Sequence, residues 1–298
     1  MKLLVTGASG QVGWELVRSL MPLGEVVALD RGHCDLSRPD TLAALIAGHA
    51  PHVIVNAAAY TAVDKAETEE ALATTINGVA PGELAQAAKA VGALLIHYST
   101  DYVFDGTKSG RYIEDDPVAP LNAYGRSKLA GEEAIADSGC DHLILRTTWV
   151  FASRGGNFVR TMLRLGAERE QLRVVADQWG APTWARNIAD ATAQIVARAQ
   201  HERCQGAFVS GVFNLVSRGE TSWHGFAEAI FSTARERLPR LPLKVLRVEP
   251  IPAADYPTPA ARPANSRLAL DRVEARFGIA MPFWQAALAR CLDELAGP

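Results

Sequence analysis

The chain has 298 residues, 48% of them apolar and 21% charged, with a mean hydropathy of +0.02, which excludes a disordered, fibrous or membrane-spanning protein. Thirty Lys and Arg against 33 Asp and Glu leave a net charge of −3, which excludes the basic field of a nucleic-acid binder or of a protein held on an anionic membrane. Lys2 to Val5 is a short apolar run that stops at a glycine-rich turn. It is too brief for a signal peptide or a spanning helix, so a cytoplasmic protein is expected. Val12, Leu16, Val17 and Leu20 then fall on one face of a helix. Val26 to Leu29 reads as a second strand, and Ser37 followed by Pro39 reads as an N-cap and early proline of a helix carrying Leu42, Leu45 and Ile46. The alternation continues with a strand at Val53 to Val55, helical segments from about 66 to 90, a strand at Leu94 to Ile96, a helix from about 124 to 136 and a strand at Leu143 to Leu145.

Strands this apolar, alternating with helices, predict an α/β fold of Rossmann type: a doubly wound parallel sheet covered on both faces. In the second half, apolar runs at Leu172 to Val175 and Val212 to Val216 and helices near 188 to 199 and 223 to 236 suggest a smaller C-terminal α/β domain for substrate. The boundary is expected near 150, with 1–150 binding a dinucleotide and 151–298 mainly substrate, and with later segments returning to the first sheet. Pro250, Pro252, Pro257, Pro259 and Pro263 predict a structured loop or extended crossing. Short helices near 268 to 277 and 282 to 295 close the chain. Cys34, Cys140, Cys204 and Cys291 form no Cys-x-x-Cys pair and read as buried free thiols. The seven histidines are equally dispersed, and no metal site is expected.

Gly7-Ala8-Ser9-Gly10-Gln11-Val12-Gly13 lies between the first strand and the first helix. Glycines there allow a sharp turn, close approach of backbone N–H groups to a pyrophosphate, and tight packing of helix on strand. With 24 glycines in 298 residues the bare spacing arises by chance roughly 0.16 times, so its position between strand and helix carries the weight. Asp30, at the end of the second strand, suits the ribose hydroxyls of NADH, whereas Arg31 suits the 2′-phosphate of NADPH. Asp35 and Leu36 could flank an adenine, and Asp35 reads equally well as a turn residue.

Tyr124 and Lys128 are four residues apart, on one face of a helix. Hydride transfer to a carbonyl needs a proton donor beside the nicotinamide, and a phenol with a neighbouring ammonium can be one. At about 4 Å and an effective dielectric of 20, the ammonium supplies about 4 kcal/mol, near three pKa units. Thr100 follows the strand at Leu94 to Ile96, where open α/β sheets bind ligands, and could meet the substrate carbonyl beside Tyr124.

These residues resemble the extended short-chain dehydrogenase/reductases and, within them, the dTDP-4-dehydrorhamnose reductase family. The resemblance runs along nearly the whole chain: the glycine loop with Gln11, the segment Asn56 to Glu67, Ser99 to Phe104, Tyr124-Gly125 with Lys128, Arg146 to Val150, Asp177-Gln178 with Gly180 and Pro182-Thr183, and Tyr256-Pro257 with Arg262-Pro263 and Asn265 to Leu268. It implies cofactor binding by Gly10, Gln11, Val12, Asp30, Asp35, Leu36, Ala58, Ala59, Tyr60, Thr61 and Tyr98, with Tyr124 and Lys128 on the nicotinamide side. It also implies a dTDP-sugar substrate, lined by Thr100, Asp101 and Trp149, whose C4 ketone is reduced by NADPH or NADH. Arg262 and Arg267 become candidates for the nucleotide diphosphate, while Arg160, Arg164 and Arg169 read better as an exposed charged face.

Some members of that family resemble a Mg-linked dimer. Glu15 and Glu294 look like two of its acidic positions here, but Arg186 stands at a third, so no metal bridge is expected and a homodimer stays open. Two other readings remain: another nucleotide-sugar dehydrogenase, dehydratase or epimerase of this fold, or a non-catalytic dinucleotide-binding regulatory subunit. Tyr102, where a dehydratase would carry glutamate, argues against elimination chemistry.

Overall fold

The computed structural model describes residues 1–296. Five alternating units build the first half, on strands β1 (Lys2–Thr6), β2 (Glu25–Leu29), β3 (Val53–Asn56), β4 (Leu94–Thr100) and β5 (His142–Thr147). They alternate with helices α1 (Gln11–Ser19), α2 (Leu42–His49), α3 (Ala80–Val91) and α4 (Ala123–Ser138). The second half contributes α5 (Phe158–Glu168), β6 (Gln171–Val175), α6 (Ala185–Cys204), β7 (Gly211–Asn214), α7 (Trp223–Arg237), β8 (Arg247–Ile251), α8 (Asp271–Phe277) and α9 (Trp284–Ala296). Six strands form one wholly parallel sheet in the order β7-β5-β4-β3-β1-β2. Its strands are apolar on both faces because both are covered.

Leu3, Val5, Val55 and Ile96 face α1 and α6 through Leu16, Leu20, Ile188 and Ile195, while Leu4, Ile54, Leu95 and Ile144 face α2 and α3 through Ile46, Leu84 and Ala88. Each such side chain, fully buried, contributes about 1.5–3 kcal/mol. A separate core of Phe151, Leu172, Trp184, Phe226, Ile230 and Leu288 gathers α5, α7 and α9 on a two-stranded parallel pair, β6 with β8. The sheet therefore does not stop at residue 150: α6 covers one face and β7 extends its edge, so segments after 150 do return to it.

Two local expectations need correction, at Ser37 and Cys204, and the proline tract takes a definite extended form. Ser37 caps no helix; its backbone and hydroxyl both donate to Asp35 Oδ1, at 3.0 and 2.8 Å, and the chain enters α2 through a 3-10 turn at Pro39–Thr41. Part of the proline-rich segment is a strand, with Pro250 in β8, which a two-stranded sheet tolerates because each strand has an open edge. Cys34, Cys140 and Cys291 are buried free thiols as expected, but Cys204, at the end of α6, is exposed. No helix among the described residues is long and apolar enough to cross a membrane.

Candidate active site

The C-terminal ends of β1, β3, β4 and β5 open into a cavity of about 490 Å³. Gly7 turns at φ +67°, and a side chain at Gly13 would collide with the Gly7 carbonyl, so α1 starts hard against β1 with its first N–H groups at the cavity. The cavity is lined by Gly7, Gly10, Gln11 and Val12, by Asp35 and Leu36, by Ala58, Ala59 and Thr61, and by Tyr98, Tyr124 and Lys128. That is most of the expected dinucleotide set, and the space, the glycine turn and the helix terminus suit a dinucleotide.

Of two expected ligands, Tyr60 has its phenol engaged elsewhere and Asp30 has one of its two oxygens engaged. Asp30 Oδ1 accepts from the backbone of Gly32 at 3.0 Å and of His33 at 3.2 Å, and lies 2.7 Å from His33 Nδ1, whose pairing holds the carboxyl below its usual range. Tyr60 donates its phenol proton to Glu69 at 2.7 Å. Arg31 lines the cavity rim instead of Asp30, with Nε 3.7 Å from Asp35.

Sequence reading missed Arg154, which lines the cavity from the far side. Its guanidinium lies 3.3 Å from the ring centre of Trp14, and Arg18 lies 3.8 Å from the same ring. It also missed Asn77, on a five-residue π-turn, Thr75–Val79. Asn77 pairs with both backbone groups of Tyr60, at 2.8 and 3.0 Å, and donates to Ser127 at 3.0 Å, so it ties the Ala58–Thr61 strip to α4. Only an asparagine amid small helical residues hinted at it.

Asn122 caps α4 by accepting from Gly125, and the helix then presents Tyr124 and Lys128 towards β4. Both line the cavity, and the groups that move the Tyr124 phenol are burial, Thr100, Asp101 and Tyr102. Burial raises the Tyr124 pKa above that of an ordinary phenol; the Thr100 hydroxyl opposes this, and Asp101 and Tyr102 reinforce it. Lys128 turns to β4, donating to the Tyr98 carbonyl at 2.6 Å and lying 3.0 Å from His97 Nε2. Burial brings its pKa down to about 8, against the charge of Glu132. The Tyr98 phenol faces away, sharing a proton with Thr192 of α6 at 2.6 Å.

At the ends of β4 and β5, beside Tyr124, polar side chains gather. Asp101 is 3% exposed, and burial pushes its carboxyl up to about 6 although Ser266, Thr148 and Thr100 oppose this. Among the described residues, Asp101 Oδ2, Ser99 Oγ, Thr147 Oγ1 and Thr148 Oγ1 are buried without a hydrogen-bond partner. Such a concentration of unmet groups at the end of β4 and β5 marks a place for a polar ligand. Trp149 borders it at φ +47°, a conformation that costs roughly 1–3 kcal/mol, and stacks on Trp223 with ring centres 3.6 Å apart. Trp223, the first residue of α7, gave no sequence signal beyond being aromatic.

Arg262 pairs with Asp64 at 2.8 Å and lies over Tyr102, whose ring meets Tyr124 edge to face at 5.6 Å. It is thus near the catalytic helix. Arg267 is tied to Asn265, Glu220 and the Ser109 carbonyl. Arg160 and Arg164 bond locally, to the Ser153 carbonyl and to Glu168, as an exposed face would. Among the described residues no cluster of His, Cys, Asp and Glu could hold a metal ion, and Arg186 stands 3.8 Å from Glu15 and 3.1 Å from Glu294.

The chain matches the family described as "RmlD substrate binding domain" over residues 1–296. It is 59% identical over 295 residues to a dTDP-4-dehydrorhamnose reductase of Burkholderia thailandensis, covering 99% of each chain. Among solved structures it is similar to a dTDP-4-dehydrorhamnose reductase of Clostridium acetobutylicum, with a TM-score of 0.89, 35% identity and 99% of each chain covered. It is also similar to that of Bacillus anthracis in complex with NADP, with a TM-score of 0.86, 34% identity, and 98% of this chain and 99% of that one covered.

Proposed function

Because the chain belongs to the RmlD family of dTDP-4-dehydrorhamnose reductases, we propose that its cavity is where the C4 ketone of dTDP-4-dehydro-L-rhamnose is reduced to give dTDP-L-rhamnose. It is an NAD(P)H-dependent oxidoreductase of the extended short-chain dehydrogenase/reductase fold, acting in dTDP-rhamnose biosynthesis. The observation that carries the reading is the juxtaposition of a glycine-turned dinucleotide cavity with Tyr124, Thr100 and the unmet polar groups around Asp101.

When bound, the nicotinamide supplies the hydride. The α1 N-terminus and Arg154 would hold the cofactor's pyrophosphate, the Ala58–Thr61 strip and Leu36 would hold the adenosine half, and Lys128 would hold the nicotinamide side. Tyr124 stays protonated at neutral pH because burial disfavours its phenolate, which makes it a stored acid. An alkoxide forming at C4 is far more basic than a phenolate, so the Tyr124 proton passes to it downhill. Thr100, beside Tyr124, orients the carbonyl oxygen, and Asp101 with Thr148 receives sugar hydroxyls. Trp149, backed by Trp223, offers a flat apolar wall to the sugar's methyl and C–H faces.

The second core around β6 and β8 is assigned to the substrate-binding half, and a cytoplasmic location accords with four free thiols. A homodimer is the assembly to test by sedimentation. For the activity itself, nicotinamide absorbance is followed on mixing protein, NADPH or NADH, and the dTDP-4-keto-6-deoxy-L-sugar. Oxidation that requires the sugar supports the reading. Cofactor bound without oxidation would point to the regulatory-subunit alternative.

A further inference from the structure

Behind Lys128 runs a line of buried polar side chains that catalysis by Tyr124 does not use. Thr6, Asn56 and His97 occupy register positions side by side on β1, β3 and β4, and none is more than 1% exposed. Thr6 Oγ1 lies 2.6 Å from the Asn56 amide oxygen, the amide nitrogen lies 3.0 Å from His97 Nδ1, and His97 Nε2 lies 3.0 Å from Lys128 Nζ. The ladder thus joins the residue before the glycine turn to the lysine of the catalytic helix. A core position for apolar side chains has been given instead to three polar ones, all paired.

Donors and acceptors on this ladder must alternate. With the Asn56 oxygen towards Thr6, the amide N–H donates to His97 Nδ1, so the imidazole proton sits on Nε2 and can only be donated to Lys128 as a neutral amine. With the amide turned over, His97 Nδ1–H donates to the amide oxygen, and Nε2 accepts from Lys128 as an ammonium. Burial and the adjacent lysine charge keep His97 neutral throughout, so it cannot satisfy both partners as a double donor. The orientation with the amide nitrogen on His97 therefore excludes an ammonium bonded to Nε2, whereas the turned-over amide leaves Nε2 to accept from Lys128 and is the one orientation open to the ammonium.

We propose that Thr6, Asn56 and His97 are positioning residues that set the protonation state of Lys128, the Asn56 amide having to present its oxygen to His97 for Lys128 to hold its proton. In the ammonium state two of the three Lys128 N–H groups are fixed, on Tyr98 O and His97 Nε2, which leaves the third for the cavity. The other groups facing Lys128 are Tyr124 and Glu132 on α4. Glu132 shares its charge with Arg146 of β5 at 2.6 Å, and Asp101, past the end of β4, acts on Tyr124. The inference rests on reading Lys128 as a working residue of the reductase.

A hydrogen bond to an ammonium is roughly twice as strong as one to a neutral amine, so the ladder on balance favours charged Lys128. The test is the pH dependence of kcat at saturating NADPH and sugar. His97→Leu removes the acceptor and moves the basic limb down by about one unit from its wild-type position. His97→Gln can both accept from Lys128 and donate to Asn56, and leaves the limb in place. Asn56→Asp can only accept, fixes His97 as the Nδ1–H tautomer, and moves the limb up. The opposite signs of Asn56→Asp and His97→Leu are the signature. An unmoved limb in both, a shift of the same sign in both, or an equal shift in His97→Gln and His97→Leu overturns the proposal. If His97→Leu does not fold by circular dichroism, Asn56→Asp against His97→Gln decides alone: no upward shift of the former relative to the latter overturns it. Wild-type turnover of the keto sugar is read in the same assay, so failure of the ladder and failure of the reductase reading are separable.

Discussion

The catalytic helix α4 has two polar neighbourhoods, and they are built on opposite terms. Behind it, His97, Asn56 and Thr6 are buried and paired in a line that ends on Lys128, itself held by the Tyr98 carbonyl. In front of it, Asp101, Ser99, Thr147 and Thr148 are just as buried yet hold polar atoms without partners among the described residues. A paired buried network fixes geometry, whereas unmet buried groups keep a desolvation cost that a ligand can relieve. The rear of the site therefore orients and the front receives.

The difference can be broken hardest at the residue between the two neighbourhoods. Tyr124→Phe removes the acid while keeping the ring, and should lower kcat by roughly 10²–10⁴-fold with the NAD(P)H dissociation constant unchanged. Single-turnover oxidation of bound NADPH measures the first and fluorescence titration the second. Turnover near the wild-type rate would remove Tyr124 from its role.

The front neighbourhood should trade stability for binding, and Asp101 is where this can be measured. Its carboxyl pKa is raised from 3.8 to about 6 by burial, so between those values the folded protein binds more protons than the unfolded one and loses stability as pH rises. Above pH 6 the accumulated loss is roughly 3 kcal/mol. Asp101→Asn should remove it, raising the denaturation midpoint at pH 8 and leaving it little changed at pH 4, while kcat/KM for the sugar falls about tenfold. A lower midpoint at pH 8 would mean that the carboxylate is stabilised by groups other than those seen.

Much of the fold was legible from the chain because parallel strands buried on both faces must be continuous apolar runs, as Val53 to Val55 and Leu94 to Ile96 are. The glycine turn was legible for a related reason, since its chemistry is backbone chemistry encoded by consecutive residues. The receiving side was less so. Trp223 backs Trp149 from 74 positions away, and Asn77 reaches Tyr60 and Ser127 only through a π-turn that no local pattern announces. For Lys128 the chain showed one half: spacing on a helix fixes which face it shares with Tyr124, whereas its partners on β4, the Tyr98 carbonyl and His97, come from a neighbouring strand that no helical spacing announces.

The smallest effect lies at the outer rim of the cavity, where neither neighbourhood reaches. Asp30 is held by His33 and its own turn, while Arg31 lines the cavity with its side chain 78% exposed. A carboxylate with one oxygen committed elsewhere offers fewer acceptors to ribose hydroxyls, and a guanidinium at the rim is a good partner for a 2′-phosphate. Exposure limits the gain, because water and salt screen the pair to about 1 kcal/mol or less. Arg31→Ala should therefore raise KM for NADPH about fivefold at low ionic strength and leave that for NADH unchanged, with the difference shrinking as salt is added. Equal changes for the two cofactors, or a difference that persists in high salt, would place the 2′-phosphate away from Arg31 and return the choice between cofactors to Asp30.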